Sequence, residues 1–320
     1  MISFNIRKNM SALHYVFSPL EFFRDICGAS WKYCKTYRNF ITVLFKKSSH
    51  QFPIDAVLKN GDRIRLKSAL EAQSIANGFK NSFEIDSDLF IIINKEIPKI
   101  KLLGWNGNGD VFGVFFDQYL LKLSIKDNDV VDIGANIGDS SIYFAIKNAK
   151  RIIALEPLPK NYEIAKKNIE INNLGHKIEL ILAGCGEKNE VIKCNSKDMG
   201  IDVFLNKNVE TKNTVEIPMI TLAEILKRYN LSDSCILKMD CEGHEYDIII
   251  SASKDTLIRF SEILIEYHYG YKNLKEKLEE SGFVVNIIRP YTIRTPLGMH
   301  KRQFIGLLYA KNKSKSSNYI

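Results

Sequence analysis

One segment constrains the fold of this chain more than any other: a buried strand, a glycine turn and a helix start follow one another directly. The strand is predicted at residues 130–133, the turn contains Gly134 and Gly138, and the helix is predicted to begin near Asp139. Glycine lets the backbone approach a ligand without a Cβ in the way. Asp132 lies near the carboxyl end of the strand, where a parallel α/β sheet places its ligands. The segment therefore predicts a nucleotide-type binding turn.

From residue 127 onward, short apolar runs alternate with helical segments. Strands are predicted at residues 130–133, 151–155, 177–182, 235–239 and 262–267, and helices at 140–149, 160–172, 221–229 and 273–281. Shorter β-like pieces are predicted at 191–194, 202–205 and 215–217, and a late antiparallel pair at 283–288 and 303–310. This alternation predicts an α/β fold, a mostly parallel sheet with helices on both faces.

Four regions are predicted along the chain. Residues 1–50 form a basic, aromatic, helical extension, and residues 51–126 form a small cap with a hairpin at Asn60-Gly61. Residues 127–310 form the ligand-binding domain, and residues 311–320 are a polar tail predicted to be disordered. The first two regions together make an N-terminal α+β extension of the α/β domain. A glycine-rich stretch at 104–110 is predicted to be a loop.

Charge and cysteine content limit the class of protein. The formal net charge is +8, which favours acidic partners, although a solvated lysine-rich surface explains the charge more simply. The six cysteines form no CxxC pair and no zinc-like spacing, which favours a reducing compartment. No apolar run is long enough to cross a membrane, and the N-terminus lacks a signal-peptide pattern. We therefore expect a cytoplasmic protein without a transmembrane segment.

Two further features narrow the ligand of the turn. Glu156 ends the second strand 24 positions after Asp132 (156 − 132), where a carboxylate holds the ribose hydroxyls of an adenosine ligand. The glycines are spaced Gly-x-x-x-Gly rather than GxGxxG, and Asp139 at the helix start repels phosphate. A phosphate-free adenosine ligand with a cationic or neutral pole fits this pattern. S-adenosylmethionine is such a ligand.

A second set of polar residues follows the later strands. Asp240 and Glu242 follow the strand at 235–239, and His268 follows the strand at 262–267. Asp240 and Glu242 are candidates to orient an acceptor hydroxyl, to hold a divalent cation such as Mg2+, or to act as a base, and His268 is a candidate general base. The alternative is that Asp240 caps a helix, Glu242 faces solvent and His268 is structural. Cys185 and Cys241 are interpreted as packing residues.

With these residues placed, the chain resembles the FkbM family of S-adenosylmethionine-dependent methyltransferases. The resemblance covers roughly residues 110–310 and rests on four segments, which are 131–138 (VDIGANIG), 154–157 (ALEP), 238–245 (KMDCEGHE) and 265–268 (IEYH). The Lys-x-Asp-x-Glu-Gly-x-Glu pattern is the most specific of them. His244 departs from the family pattern, in which a small residue is commoner at that position.

The resemblance implies a seven-stranded Rossmann-like sheet, mostly parallel with a reversed last strand, and O-methylation of sugars, glycolipids or related metabolites. It also implies roles for individual residues. The residues expected at the methionine end of the cofactor are Asp132, Gly134, Asn136 and Gly138. Glu156 is expected to bind the ribose, and Ala183 to lie along the adenine. The residues expected around the acceptor are Asp240, Glu242 and His268.

The sequence thus predicts an O-methyltransferase acting on a hydroxyl of a sugar, glycolipid or other small metabolite. One alternative is an RNA methyltransferase whose basic N-terminal segment binds phosphates. Another is a non-catalytic cofactor-binding or membrane-docked assembly protein. Residues 1–50 have two interpretations of their own: a peripheral membrane or polyanion surface, or helices that pack their aromatic faces on a core.

Overall fold

The computed structural model describes residues 30–67, 69–76, 83–86, 89–93, 97–105, 111–115, 119–195, 214–293 and 303–318. The chain divides into two compact units, Met1–Ile100 and Lys101–Ile320. The boundaries predicted at residues 50 and 126 differ from this division. The predicted piece at 202–205 and most of the loop at 104–110 lie outside the described residues.

The first unit is a small α+β assembly. After a helical stretch at residues 30–36, its elements are α1 (Phe40–Ser48), β1 (Ile54–Val57), β2 (Arg63–Leu66), α2 (Ala69–Ala76), β3 (Phe83–Asp86) and β4 (Leu89–Ile92). β1 pairs antiparallel with β2, and β3 with β4. The hairpin predicted at Asn60-Gly61 is present, and Gly61 has a φ of 101° that suits glycine.

The aromatic residues of the first unit divide between its interior and its surface. Tyr37 is fully buried and donates a hydrogen bond from its hydroxyl to the carbonyl oxygen of Ala72 (2.8 Å). Trp31, Ile41 and Phe45 are exposed, by 60%, 70% and 68%. Some side chains of this segment therefore pack inward, as the second interpretation expects, and others face solvent.

The second unit contains the elements that position the site. After β5 (Ile100–Leu102) and α3 (Val111–Phe115), these are β6 (Asp129–Ile133), α4 (Asp139–Ile146), β7 (Arg151–Leu155), α5 (Pro159–Ile171), β8 (Ile178–Ile181), β9 (Gly184–Cys185), β10 (Glu190–Asn195), β11 (Thr214–Ile220), α6 (Leu222–Arg228), β12 (Cys235–Met239), α7 (Glu245–Ser251), α8 (Lys254–Leu257), β13 (Phe260–Tyr267), α9 (Lys272–Glu280), β14 (Phe283–Ile293) and β15 (Gln303–Asn312). Short 3-10 helices cover Tyr119–Lys122 and Lys313–Asn318.

Seven of these strands form one sheet in the order β14-β15-β13-β12-β6-β7-β8. The pairs from β13 through β12, β6 and β7 to β8 are parallel, whereas β15 runs antiparallel to both β13 and β14. The predicted sheet, mostly parallel with a reversed last strand, is confirmed. Its apolar centre is the core: every residue of β6 and β12 is buried, as a strand covered on both faces requires.

Two local expectations differ from the structure. Residues 311–320 were expected to be disordered, but Lys311 and Asn312 complete β15 and Lys313–Asn318 form a 3-10 helix. The helix predicted to reach residue 149 ends at Ile146, because Asn148 adopts a positive φ of 63°. None of the helices within the described ranges has the length and hydropathy needed to cross a bilayer.

Thr221 caps α6 but forms only half of a capping box. The Thr221 hydroxyl accepts a hydrogen bond from the backbone N–H of Glu224 (3.2 Å), as expected for an N-cap. The carboxylate of Glu224 accepts from Arg228 instead, and the backbone N–H of Thr221 donates to Asn189 Oδ1. The bond between the Glu224 carboxylate and the Thr221 backbone N–H is therefore missing, and each of the two groups has a different partner.

Candidate functional site

The site lies at the carboxyl edge of the sheet, at β6. From β6 the chain adds β7 and β8 on one side of the sheet and β12 and the later strands on the other. β6 pairs with β7 on one side and with β12 on the other. The register sets Asp132 beside Lys238 on β12 and beside Ala154 on β7. An α/β sheet binds its ligands at such a switch point, in the crevice outside the strand ends. The segments following β6, β7 and β12 therefore meet there.

The turn after β6 requires glycine for two separate reasons. Gly134 has a φ of 77°, a left-handed conformation that side chains disfavour. A Cβ on Gly134 would also overlap the backbone carbonyl oxygen of Asp240. The backbone N–H of Asp240 donates to the carbonyl oxygen of Ile133 (3.0 Å). The turn and the segment after β12 are thus in direct backbone contact.

Asp132 is fully buried behind this turn. Its Oδ2 accepts hydrogen bonds from the hydroxyls of Ser140 (2.7 Å) and Ser141 (2.6 Å) at the start of α4. Its Oδ1 lies 3.2 Å from the Nζ of Lys238, which also donates to the carbonyl oxygen of Gly134 (3.1 Å). Asp132 therefore fixes the turn and the helix start from behind and has no exposed surface for a ligand.

Lys238 is a functional side chain whose role the sequence did not reveal. Burial alone would lower its pKa, but the charges of Asp132, Asp240 and Asp139 raise it, so the ammonium form is favoured. The signal was present in the sequence, because a lysine within the apolar run 235–239 must be paired if that run is a buried strand. Lys238 carries the positive charge that holds the acids of the two strand ends together.

Glu156 is presented to the cleft from the end of β7. It is 4% exposed, its Oε2 accepts from the backbone N–H of Asn136 (2.8 Å), and its Oε1 accepts from that of Leu158 (2.9 Å). Burial raises the pKa of Glu156 from 4.5 to about 7, against the opposing effect of these two hydrogen bonds and of Lys238. The carboxylate is fixed in orientation at the position expected to bind ribose.

The acids that follow β12 converge with His268 from β13. Nε2 of His268 lies 3.4 Å from Oε2 of Glu242 and 3.8 Å from Oδ1 of Asp240. The side chains of Asp240 and Glu242 are 28% and 44% exposed, whereas that of His268 is 5% exposed. Glu242 also has a positive φ of 53°. Burial raises the pKa of Glu242, an effect that the charge of His268 opposes.

Glu245 holds His268 in place. It is fully buried at the start of α7, and its Oε1 accepts from both Nδ1 (2.7 Å) and the backbone N–H (3.1 Å) of His268. Its Oε2 accepts from the backbone N–H of Gly243 (2.8 Å). Burial would lower the pKa of His268, but Glu245, Asp240 and Glu242 raise it to about 10. Glu245 belongs to the quoted 238–245 motif, yet only the structure assigns its role.

A cleft with about 900 Å3 of space, open solvent included, lies between these segments. Among the residues predicted to bind the cofactor or acceptor, those that line it are Gly134, Asn136, Glu156, Ala183, Asp240 and Glu242. Within the described part of the chain, Asp132, Gly138 and His268 lie off its wall. Gly138 instead caps α4 and packs closely on Ala165 of α5. His244, Cys185 and Cys241 also contribute to the lining.

The charge of the cleft wall fits S-adenosylmethionine. Its acids are Asp139, Glu156, Asp240 and Glu242, and they outnumber its lysine, Lys238. Such a wall attracts a sulfonium and an ammonium group and repels phosphate. Asp139 occupies the first turn of α4, where a phosphate ligand would need to approach the helix N-terminus. Glu156 lines the cleft at the position expected to bind the ribose hydroxyls, so the residues present suit this cofactor.

Comparisons with known proteins agree with this geometry. Residues 132–289 match the model of the Methyltransferase FkbM domain. The chain is 40% identical over 93 residues to the tRNA (guanine(37)-N(1))-methyltransferase Trm5b of Methanocaldococcus jannaschii, which is 29% of this chain and 26% of that protein. It is 23% identical over 202 residues to Methyltransferase 1 of Beauveria bassiana, covering 55% of this chain and 81% of the relative.

Among solved structures, Methyltransferase FkbM from Methylobacillus flagellatus matches with a TM-score of 0.40 and 18% identity, over 62% of this chain and 47% of that one. The chain spans about a quarter of the length of the Trm5b protein that it matches. The matched model begins at Asp132 and includes the ends of β6, β7, β12 and β13, where the site residues lie. Residues 132–289 of the chain therefore belong to the FkbM family of methyltransferases.

Proposed function

We propose that the protein transfers a methyl group to a hydroxyl oxygen of a small hydroxylated molecule, such as a sugar or the sugar of a glycolipid. The observation that carries this proposal is the position of Asp240 and Glu242. Both carboxylates line the cleft that also contains Glu156, and both are partly exposed to it. A hydroxyl acceptor needs an oxygen base within hydrogen-bonding reach, and these are the acids at the acceptor end.

S-adenosylmethionine supplies an electrophilic methyl group, so the protein has to align the acceptor and take up its proton. Glu156 orients the donor through its ribose. Asp240 or Glu242 receives the acceptor proton, because both stand on the cleft wall. His268 lies behind them and acts through them, which differs from the direct base expected from the sequence. The same two acids support an enzyme over a non-catalytic binding protein.

The test is a methyl-transfer screen with isotopically labelled S-adenosylmethionine against sugars, glycolipids and other hydroxylated metabolites. We expect a product labelled at an ether methyl group, identified by NMR. Asp240→Asn combined with Glu242→Gln should remove the activity while binding of S-adenosylmethionine persists. Glu280→Gln, an exposed acid at the end of α9, is the matched control. Methylation of nitrogen or carbon, or full activity of the double variant, would contradict the proposal.

A second candidate is methylation of RNA, which one observation favours. The relative that shares 40% identity over 93 residues is named as a tRNA methyltransferase, and the chain carries a formal net charge of +8. An RNA substrate predicts binding that weakens steeply with salt, because phosphate contacts release counterions. Transfer of the labelled methyl group to tRNA, with a steep salt dependence, would select this function over the first.

The first unit carries exposed apolar and basic side chains that suit contact with a lipid surface. Trp31, Ile41 and Phe45 are exposed there, and Lys35 lies over the Trp31 ring at 4.7 Å. Lys46 and Lys47 occupy the last turn of α1. We propose that this basic, aromatic face touches an anionic membrane surface. Sedimentation with phosphatidylglycerol vesicles should capture the protein, and Phe45→Ser should reduce capture; equal capture by neutral phosphatidylcholine vesicles would contradict an electrostatic contribution.

A further inference from the structure

The side chains behind the acceptor end of the cleft have the arrangement of a metal site. One atom each from Asp240, Glu242 and His268 lies within 4.8 Å of the other two. Two ligands bound about 2.1 Å from the same ion are separated by roughly 3 to 4.2 Å. The distances from Nε2 of His268 to the two carboxylates, 3.4 and 3.8 Å, fall in that range. The three ligand atoms together lie within 4.8 Å of one another, so a small approach of the two carboxylates brings them to the spacing of ligands on one ion.

The orientation of His268 is an independent indication. Its side chain is 5% exposed, and its Nδ1 is held by Glu245 at 2.7 Å. Nε2 makes no hydrogen bond to any residue that the structure describes, and points instead to the oxygens of Asp240 and Glu242. Metal-binding histidines characteristically donate their remote nitrogen to a carboxylate, which fixes the tautomer and turns the other nitrogen to the ion. Glu245 has that position.

The charges and the donor types indicate which kind of ion. Three carboxylates, from Asp240, Glu242 and Glu245, surround one imidazole, so the cluster is negative whichever form the imidazole takes. Two carboxylate oxygens alone, as the sequence suggested, would suit Mg2+. The imidazole nitrogen changes this preference, because nitrogen ligands favour first-row transition metals over Mg2+. Mn2+ accepts both carboxylate and imidazole ligands.

We propose that Asp240, Glu242 and His268 bind a divalent first-row transition metal ion at the acceptor end of the cleft, with Glu245 as the residue that positions His268. Asp240 and Glu242 also line the cleft, so an ion held there would be within reach of an acceptor. An acceptor with two neighbouring oxygen atoms, such as a vicinal diol, would suit such an ion. This use of the ion rests on the proposed function, whereas binding of the ion is measured without any methyl transfer.

The experiment is titration of the full-length, EDTA-treated protein with Mn2+, followed by calorimetry and by loss of the electron paramagnetic resonance signal of free Mn2+. We expect one Mn2+ per chain and weaker binding of Mg2+. Glu242→Gln and His268→Gln should each weaken Mn2+ binding at least about 10-fold, and Glu245→Gln by about 10- to 100-fold through the orientation of His268. Glu280→Gln should bind Mn2+ as the wild type does.

Chemical unfolding serves as the folding control for every variant, since Glu242 lines the same cleft as Glu156. Absence of Mn2+ binding by the wild type, or wild-type affinity for Mn2+ in both Glu242→Gln and His268→Gln, overturns the metal site. If Mn2+ binds as expected but no hydroxyl is methylated, the metal site stands and the proposed function fails. If the protein methylates hydroxyls fully in EDTA and binds no Mn2+, the proposed function stands and the metal site fails.

Discussion

The two ends of the cleft are built in different ways. At the donor end, Glu156 is almost fully buried and both of its oxygens are held by backbone N–H groups. At the acceptor end, Asp240 and Glu242 are partly exposed, and the partner they share is the side chain of His268. Backbone partners persist when neighbouring side chains change, whereas side-chain partners do not. The donor end is therefore suited to one constant ligand, and the acceptor end can change specificity through single substitutions.

Gly134→Ala should have the largest effect on stability and on cofactor binding, because the backbone of Gly134 contacts both ends of the cleft. Its new Cβ would overlap the carbonyl oxygen of Asp240, in addition to the strain of a positive φ. We expect a loss of stability of several kcal/mol, on the order of 3 or more, and loss of S-adenosylmethionine binding. Chemical unfolding and calorimetry measure the two effects.

Gly282→Ala is the matched control for this substitution. Gly282 also has a positive φ, of 100°, but a Cβ there would meet nothing within 4 Å. It should therefore show only the backbone strain, about 1 kcal/mol, and unchanged cofactor binding. Equal losses in the two variants would show that the contact with Asp240 is unimportant.

Asp240→Asn should lower kcat without weakening cofactor binding, which distinguishes the acceptor end from the donor end. Removing a proton acceptor from the acceptor end is expected to lower kcat by about 100-fold or more. The dissociation constant of S-adenosylmethionine should change by less than about 3-fold, because the donor contacts remain. Steady-state kinetics and calorimetry on the same preparation check both values. A large loss of cofactor affinity with unchanged kcat would place Asp240 at the donor end instead.

Glu156 should make donor binding depend on pH. Its pKa of about 7 means that the carboxylate, which accepts hydrogen bonds from ribose, forms as pH rises through 7. Affinity for 5′-methylthioadenosine, which has ribose but no amino acid group to titrate, should increase from pH 6 to pH 8. Glu156→Gln should weaken binding by about 10- to 100-fold and remove the pH dependence. Calorimetry at several pH values is the measurement.

The same shift has a consequence for the ligand-free protein. Because the pKa of Glu156 is higher in the folded state than its ordinary value of 4.5, the folded state holds the proton more tightly between pH 4.5 and about 7. Its contribution to stability is therefore fully present below pH 4.5 and is lost as pH rises through about 7. Chemical unfolding of Glu156→Gln should lack this component, and an identical pH profile in both proteins would contradict the shift.

Ser141→Ala should have the smallest effect. It removes one of the two hydroxyl donors to the buried Asp132 and leaves the Ser140 hydroxyl and Lys238 in place. We expect a loss of about 1 kcal/mol in the free energy of unfolding and little change in cofactor affinity. Chemical unfolding measures it. A loss as large as that of Gly134→Ala would mean that the turn depends on Asp132 more than on its glycine.

The sequence predicted the sheet better than the side chains around its edge. β7 and β12 have the predicted bounds, because a short, mostly apolar run bounded by polar residues is too short for a typical helix and favours a buried strand. The position of Asp132 was not predictable in the same way. It points toward α4 and Lys238 rather than into the cleft, and only three-dimensional packing decides between these directions. Sequence position at a strand end does not show on which side the carboxylate lies.

His268 and Glu245 illustrate a second limit. They are 23 positions apart, directly after β13 and at the start of α7, and their contact depends on how that helix packs against the sheet. A spacing rule within one element cannot reveal such a pair. The partner of the Thr221 backbone N–H is also distant in sequence, because it is Asn189, which directly precedes β10. Long-range partners are what the sequence leaves undetermined here.

Lys238 gives the two ends of the cleft a thermodynamic connection. Its ammonium group touches Asp132 and the carbonyl oxygen of Gly134, while its own strand continues directly into Asp240. We therefore expect a ligand that shifts the glycine turn to alter the free energy of the Asp240 segment. Coupling of this kind is reciprocal, so the factor by which the donor would tighten acceptor binding equals the factor by which the acceptor would tighten donor binding. Measuring the affinity for each ligand with and without the other tests this connection.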